Sequence, residues 1–108
     1  MQAANHEKFI YCRDMTWLRS SNVIVAEVTQ PSLGVGYELG AAEALGIPVV
    51  CLFRTKSGRS LSAMLRGNKN FTIVDYSELE EVAAWLTDFF RTFEPSKVQR
   101  AGASTKDS

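Results

Sequence analysis

Between residues 6 and 20 the apolar positions Ile10, Tyr11, Trp17 and Leu18 recur at a helical period and predict an amphipathic helix. Asp14 falls on the same side, four residues after Ile10 and three and four before Trp17 and Leu18. A carboxylate therefore projects from the apolar stripe, where it demands a partner or a pocket. The β-branched run 23–28 reads as a buried parallel strand. It gives way to Thr29-Gln30-Pro31-Ser32-Leu33-Gly34-Val35-Gly36, where Pro and Gly interrupt regular structure and Ser32 is placed to cap a helix over 35–45. Gly46 and Pro48 stop that helix. The run 49–53 is a second strand, 54–59 a basic loop, 60–66 two helical turns ending at Gly67, and 71–74 a third strand. Ser77-Glu78-Leu79-Glu80 has the form of a capping box. The helix it opens carries Val82, Trp85, Leu86, Phe89, Phe90 and Phe93 on its core-facing side.

The alternation of helices and strands argues for one α/β domain, a parallel sheet with flanking helices, over residues 1–94, with a disordered polar tail over 95–108. The opening helix has no strand before it, so the first strand of a βαβ unit is missing from the pattern. Composition narrows the function classes. Of 108 residues, 45% are hydrophobic, and 12 basic residues balance 12 acidic ones, so no electrostatic stripe exists for gripping polymeric DNA or RNA. No apolar run nears the roughly 20 residues of a membrane helix, and the first residues lack signal-peptide character. The expected location is inside the cell, in the cytoplasm or nucleus. Cys12 and Cys51 have no CxxC neighbour and read as reduced packing thiols, while His6 reads as a solvated residue, so no metal site is expected.

Ligands of open parallel sheets bind at the carboxyl ends of the strands. This pattern places Ser32, Gly34 and Gly36 there, opening a helix whose N–H groups and dipole favour an anion, although Gly-x-Gly also serves simply as a tight turn. No Walker ending and no GxGxxG accompany them, which disfavours nucleoside triphosphates and dinucleotides. Glu38 follows in the first turns of the helix. It is either an ordinary acidic residue well placed by the dipole or, with Asp14, one of the two carboxylates that glycosidic cleavage employs. Ser57-Gly58-Arg59-Ser60-Leu61-Ser62 is a second loop of the same kind, with Arg59 as an anion partner or a solvated residue and Ser60 as a helix cap. Glu27, inside the first strand pattern, has no evident partner and no assigned role.

Three stretches carry a family resemblance: Arg13-Asp14-Met15-Thr16-Trp17-Leu18, the run from Val25 to Gly40 containing Gln30-Pro31-Ser32-Leu33-Gly34-Val35-Gly36-Tyr37-Glu38, and Ser57-Gly58-Arg59-Ser60-Leu61-Ser62-Ala63-Met64. Together they resemble the 2'-deoxynucleoside 5'-monophosphate N-glycosidases, relatives of the nucleoside 2-deoxyribosyltransferases. The resemblance implies a flavodoxin-like α/β fold of the Rossmann kind, a homodimer, no cofactor or metal, and hydrolysis of the bond between base and 2-deoxyribose in a 5'-monophosphate. By it Glu38 matches the nucleophile and Asp14 the acid that assists base departure. Ser32 and Gly34 match phosphate-loop positions, and Ser62 matches a phosphate contact given across the dimer by the partner subunit. The family opens with a strand and a Gly/Arg loop carrying a tyrosine that helps place the nucleophile, and nothing in this sequence corresponds to them. Two rival readings follow: a form that only binds nucleotide or dimerises, and a phosphotransferase or phosphatase acting through the Ser-Gly loops.

Overall fold

The computed structural model describes residues 3–93. It begins with helix α1 (Ala3–Arg19), strand β1 (Ile24–Glu27), helix α2 (Leu33–Ala44) and strand β2 (Val49–Arg54). A 3-10 turn (Thr55–Ser57), the one-turn helix α3 (Ala63–Arg66), strand β3 (Phe71–Tyr76) and helix α4 (Leu79–Thr92) complete the order. The strands form one parallel sheet in the order β1-β2-β3, with Ile24 opposite Val49 and Val49 opposite Phe71. The predicted parallel α/β architecture is thus observed. Among the described residues β1 pairs only with β2, and Val25 on it is exposed.

Strand β2 is the centre of the core because it is covered on both faces. Val49, Cys51 and Phe53 turn to the side packed by Met15 and Leu18 of α1 and Leu39 and Ala42 of α2. Val50 and Leu52 alternate to the other side with Val74 and Tyr76, under Val82, Trp85 and Phe89 of α4. The continuous apolar run of β2 is what a strand buried on two faces requires. Burial on the α1/α2 side also pushes the Cys51 thiol up from its ordinary pKa.

Several expectations need correction. Among the residues of α1 whose burial is described, Met15 and Leu18 are buried, whereas Tyr11 and Trp17 are 50% and 61% exposed. The covered part of the helix is narrower than its apolar stripe. Trp17 instead lies under the Arg13 guanidinium, 4.8 Å from the ring centre, and Tyr11 meets Tyr37 of α2 edge-on. Cys12 is exposed rather than packed, while His6 is exposed as expected. On α4 no residue is fully buried and Phe90 is exposed, because a single helix on a three-stranded face leaves its flanks to water.

The caps also move. Ser32 caps α2 as predicted, its Oγ accepting from the Val35 N–H at 3.2 Å, and Gly46 after that helix takes a positive φ of 75°. The turns expected over 60–66 shrink to the single turn α3, capped by Ser62 rather than Ser60. The capping box closes one residue later than the sequence suggests. Glu81, not Glu80, accepts from Ser77 through both its N–H (3.1 Å) and its hydroxyl (2.9 Å), since the helix starts after Glu78. The tail predicted over 95–108 lies outside the described residues.

Candidate active site

Because the three strands run parallel, their carboxyl ends share one edge of the sheet, and the loops after β1 and β2 both emerge there. The loop after β1 leads into α2 through Ser32. Its backbone carbonyl accepts from the Gly36 N–H at 3.0 Å while its side chain holds the Val35 N–H, so the first turn is tightly closed. Residues 30–34 of this loop are all exposed. A Cβ added at Gly34 would meet only Ser32 Oγ, at 3.9 Å, so among the described residues no packing demands glycine there.

Glu38 lies in the second turn of α2 and faces Asp14 of α1. The two helices pack side by side, which brings together the carboxylates that the sequence singles out from positions 24 residues apart. Asp14 is half-buried and accepts from the Arg13 Nε–H at 3.1 Å. Partial burial pushes the Glu38 carboxyl above the ordinary glutamate range, and the Asp14 charge and a hydrogen bond between the two side chains push it further.

Ser62 stands at the head of α3, its Oγ accepting from the Met64 N–H at 3.2 Å. The helix is tied to β3 by a two-pronged Arg66–Asp75 ion pair at 2.8 and 2.9 Å, with Arg66 lying 5.7 Å over the Phe53 ring. Among the described residues Ser62 makes no direct hydrogen bond to Ser32, Gly34 or Glu38; its hydrogen bonds are local, to the first turn of its own helix. Arg59 and Ser60 are exposed in the same loop, where the Arg59 N–H donates to Ser57 Oγ.

The edge also holds a group that sequence reasoning left without a role. Glu27, ending β1, accepts from the Tyr76 hydroxyl at 2.5 Å and from the Thr29 N–H and hydroxyl at 2.8 Å each. Burial opposes its charge, but these donors and the nearby Arg54 outweigh burial and hold its carboxyl below the ordinary range. The available signal was an acidic residue closing an otherwise apolar strand; its partner lies 49 residues away and is invisible to local pattern. Among the described residues no group of three or more His, Cys, Asp or Glu is placed to hold a metal ion.

Comparison with known proteins matches residues 1–85 to the nucleoside 2-deoxyribosyltransferase family. The chain is 56% identical over 97 residues to the 5-hydroxymethyl-dUMP N-hydrolase of Mus musculus, a match covering 87% of this chain and 56% of the mouse protein. It is 49% identical over 100 residues to the Homo sapiens protein of the same name, covering 90% of this chain and 57% of the relative. A Branchiostoma floridae relative, also a 5-hydroxymethyl-dUMP N-hydrolase, is 50% identical over 90 residues, covering 81% of this chain and 85% of its own length. The chain spans about half the length of the mouse and human relatives. With the parallel sheet and the extent of these matches, the chain belongs to the nucleoside 2-deoxyribosyltransferase family.

Proposed function

We propose that the chain carries the reaction centre of a hydrolase that splits the N-glycosidic bond of a 2'-deoxynucleoside 5'-monophosphate, releasing free base and 2-deoxyribose 5-phosphate. The observation that carries this reading is the facing pair Asp14 and Glu38 beside an exposed Ser/Gly helix start at the carboxyl edge of the sheet. In the proposed reaction the reacting form carries its proton on Asp14, and the ionised Glu38 carboxylate attacks the anomeric carbon. The C–N bond breaks with its electron pair going to the base, and Asp14 delivers the proton that makes the base a tolerable leaving group. Water then attacks the anomeric carbon of the glycosyl ester and passes a proton to the Asp14 carboxylate left by the first step, which returns Glu38 as a carboxylate, reprotonates Asp14 and frees the sugar phosphate. Ser32 and the backbone at Gly34 receive the 5'-phosphate, and the α2 dipole favours its charge. The partner subunit's Ser62 supplies a further contact in a homodimer. The names of the relatives point to 5-hydroxymethyl-dUMP as the first substrate to try.

The upward shift at Glu38 bears on the roles. A nucleophile must be ionised, so turnover falls on the acid side at a higher pH than an ordinary glutamate would impose. The deciding experiment incubates the chain with 5-hydroxymethyl-dUMP and separates the products. Free base with deoxyribose 5-phosphate supports the reading. Inorganic phosphate with intact nucleoside refutes it in favour of a phosphatase, and binding without turnover assigns the chain to nucleotide binding alone.

A further inference from the structure

The Glu27 cluster is built at the ends of all three strands: Glu27 closes β1, Arg54 closes β2 and Tyr76 closes β3. Thr29 links them, since its hydroxyl donates to Glu27 Oε2 and accepts from the Arg54 backbone N–H at 2.8 Å. Tyr76 is buried in the core beneath α4, so its hydroxyl is fixed by packing and fixes Glu27 in turn. Thr29 stands three residues before Ser32, at the start of the loop that presents Ser32, Gly34 and then Glu38. Residues 30–34 bury nothing that could hold this loop, Leu33 being 96% exposed. Its conformation therefore depends on hydrogen bonds at its two ends: the Ser32 cap and the Gly36 N–H to Ser32 carbonyl bond at one, and at the other the Glu27–Thr29–Tyr76 cluster beside the backbone bond from Val28 N–H to the Leu52 carbonyl.

We infer that Glu27 is a positioning residue which, through Thr29 and Tyr76, holds the β1–α2 loop in the shape that receives the phosphate of a sugar 5-phosphate. The choice of ligand rests on the proposed nucleotide function, whereas the holding of the loop does not. A hydrogen-bonding role separates from a packing role by the hydroxyl at Thr29. Thr29→Val keeps the shape and loses the hydroxyl, while Thr29→Ser keeps the hydroxyl and loses the methyl.

The test compares wild type, Thr29→Val, Thr29→Ser and Tyr76→Phe by amide hydrogen exchange and by calorimetric titration with 2-deoxyribose 5-phosphate. Thr29→Val and Tyr76→Phe are expected to speed exchange at loop amides 29–36 by about threefold to tenfold, the worth of one or two hydrogen bonds. The amides of Val50, Cys51 and Leu52 stay protected, which shows that the variants fold. Sugar-phosphate affinity falls by a similar factor in the same two variants, and Thr29→Ser keeps both properties within about twofold of wild type. Unchanged loop exchange in both Thr29→Val and Tyr76→Phe overturns the inference, as does a Thr29→Ser variant that loosens the loop more than Thr29→Val. A wild-type chain that fails to bind 2-deoxyribose 5-phosphate overturns the choice of ligand and the nucleotide reading, while loosened exchange in the variants still supports the holding of the loop.

Discussion

Glu27 and Glu38 stand near the same edge of one sheet, and burial opposes the charge of each, yet their carboxyls are driven in opposite directions. Around Glu27 the neighbours are donors: a phenol, a hydroxyl, a backbone N–H and, further off, Arg54. Beside Glu38 the neighbour is another acid. Residue type and partial burial therefore do not settle what a carboxylate does here; the neighbours supplied by other elements do. One glutamate is stabilised in its ionised form and suits a framework. The other is held less comfortably as an anion and suits a reacting group.

The largest expected effect is at Glu38. Glu38→Gln should lower base release by at least about 10³-fold, because the amide has no carboxylate to attack the anomeric carbon. Stability should move the other way. A carboxyl whose folded pKa is raised contributes stability at pH below its unfolded pKa and loses it as pH rises through the folded value, so at neutral pH the charge is a burden. Glu38→Gln should thus hold or raise the thermal midpoint at pH 7, by roughly 1–3 °C. A clear fall in the midpoint would show that Glu38 belongs to the framework and erase the contrast with Glu27.

Asp14→Asn should reduce turnover by about 10²-fold to 10⁴-fold through loss of the proton donor. It should also carry the acid limb of the pH–rate profile to lower pH, since one of the groups raising the Glu38 carboxyl is then neutral. If residual turnover keeps the wild-type acid limb, the two side chains do not act as a pair.

Removing the 5'-phosphate from the substrate is a milder change, because it touches no reacting atom. The nucleoside should still lose about 10²-fold in turnover as well as affinity, since binding energy from the remote group orients the sugar for attack. Comparable rates on nucleoside and nucleotide would detach Ser32 and Gly34 from the site.

The smallest effect is expected at Glu27, and its sign is opposite to that at Glu38. A carboxyl whose folded pKa is lowered contributes stability above its unfolded pKa, and that contribution is lost as pH falls through the folded value. Denaturant titrations should find Glu27→Gln less stable than wild type at pH 7 by about 0.5–1 kcal/mol, a figure reduced for the exposure of Glu27 to solvent. The gap should narrow in acid as wild-type Glu27 takes up its proton. A difference that stays constant into acid would mean that shape rather than charge matters there.

The residues of the candidate site stand out in the sequence for local reasons. Asp14 was conspicuous because a carboxylate interrupts an apolar spacing, and Ser32 because a hydroxyl before a helical run following Pro31 is a local capping signal. Glu38 was legible only as a choice between a dipole-favoured surface acid and a reacting group, and its contact with Asp14 supports the second. Tyr11 and Trp17 misled for the complementary reason. Periodicity states which residues share a side of a helix, but the width of the covered strip depends on what packs against it.

The sequence by itself determined the order of helices and strands, the doubly buried β2, the Ser32 cap and the small set of residues from which a site could be made, because each of these rests on hydrogen bonds or spacings within a few residues. Tertiary structure decided which side of α1 is buried, that Glu81 rather than Glu80 closes the box before α4, and that Glu38 meets an acid while Glu27 meets a phenol. Those outcomes depend on the packing of α1 against α2 and on the ends of parallel strands meeting at one edge, and contacts of that range are set by the register and docking of whole elements rather than by any local run of residues.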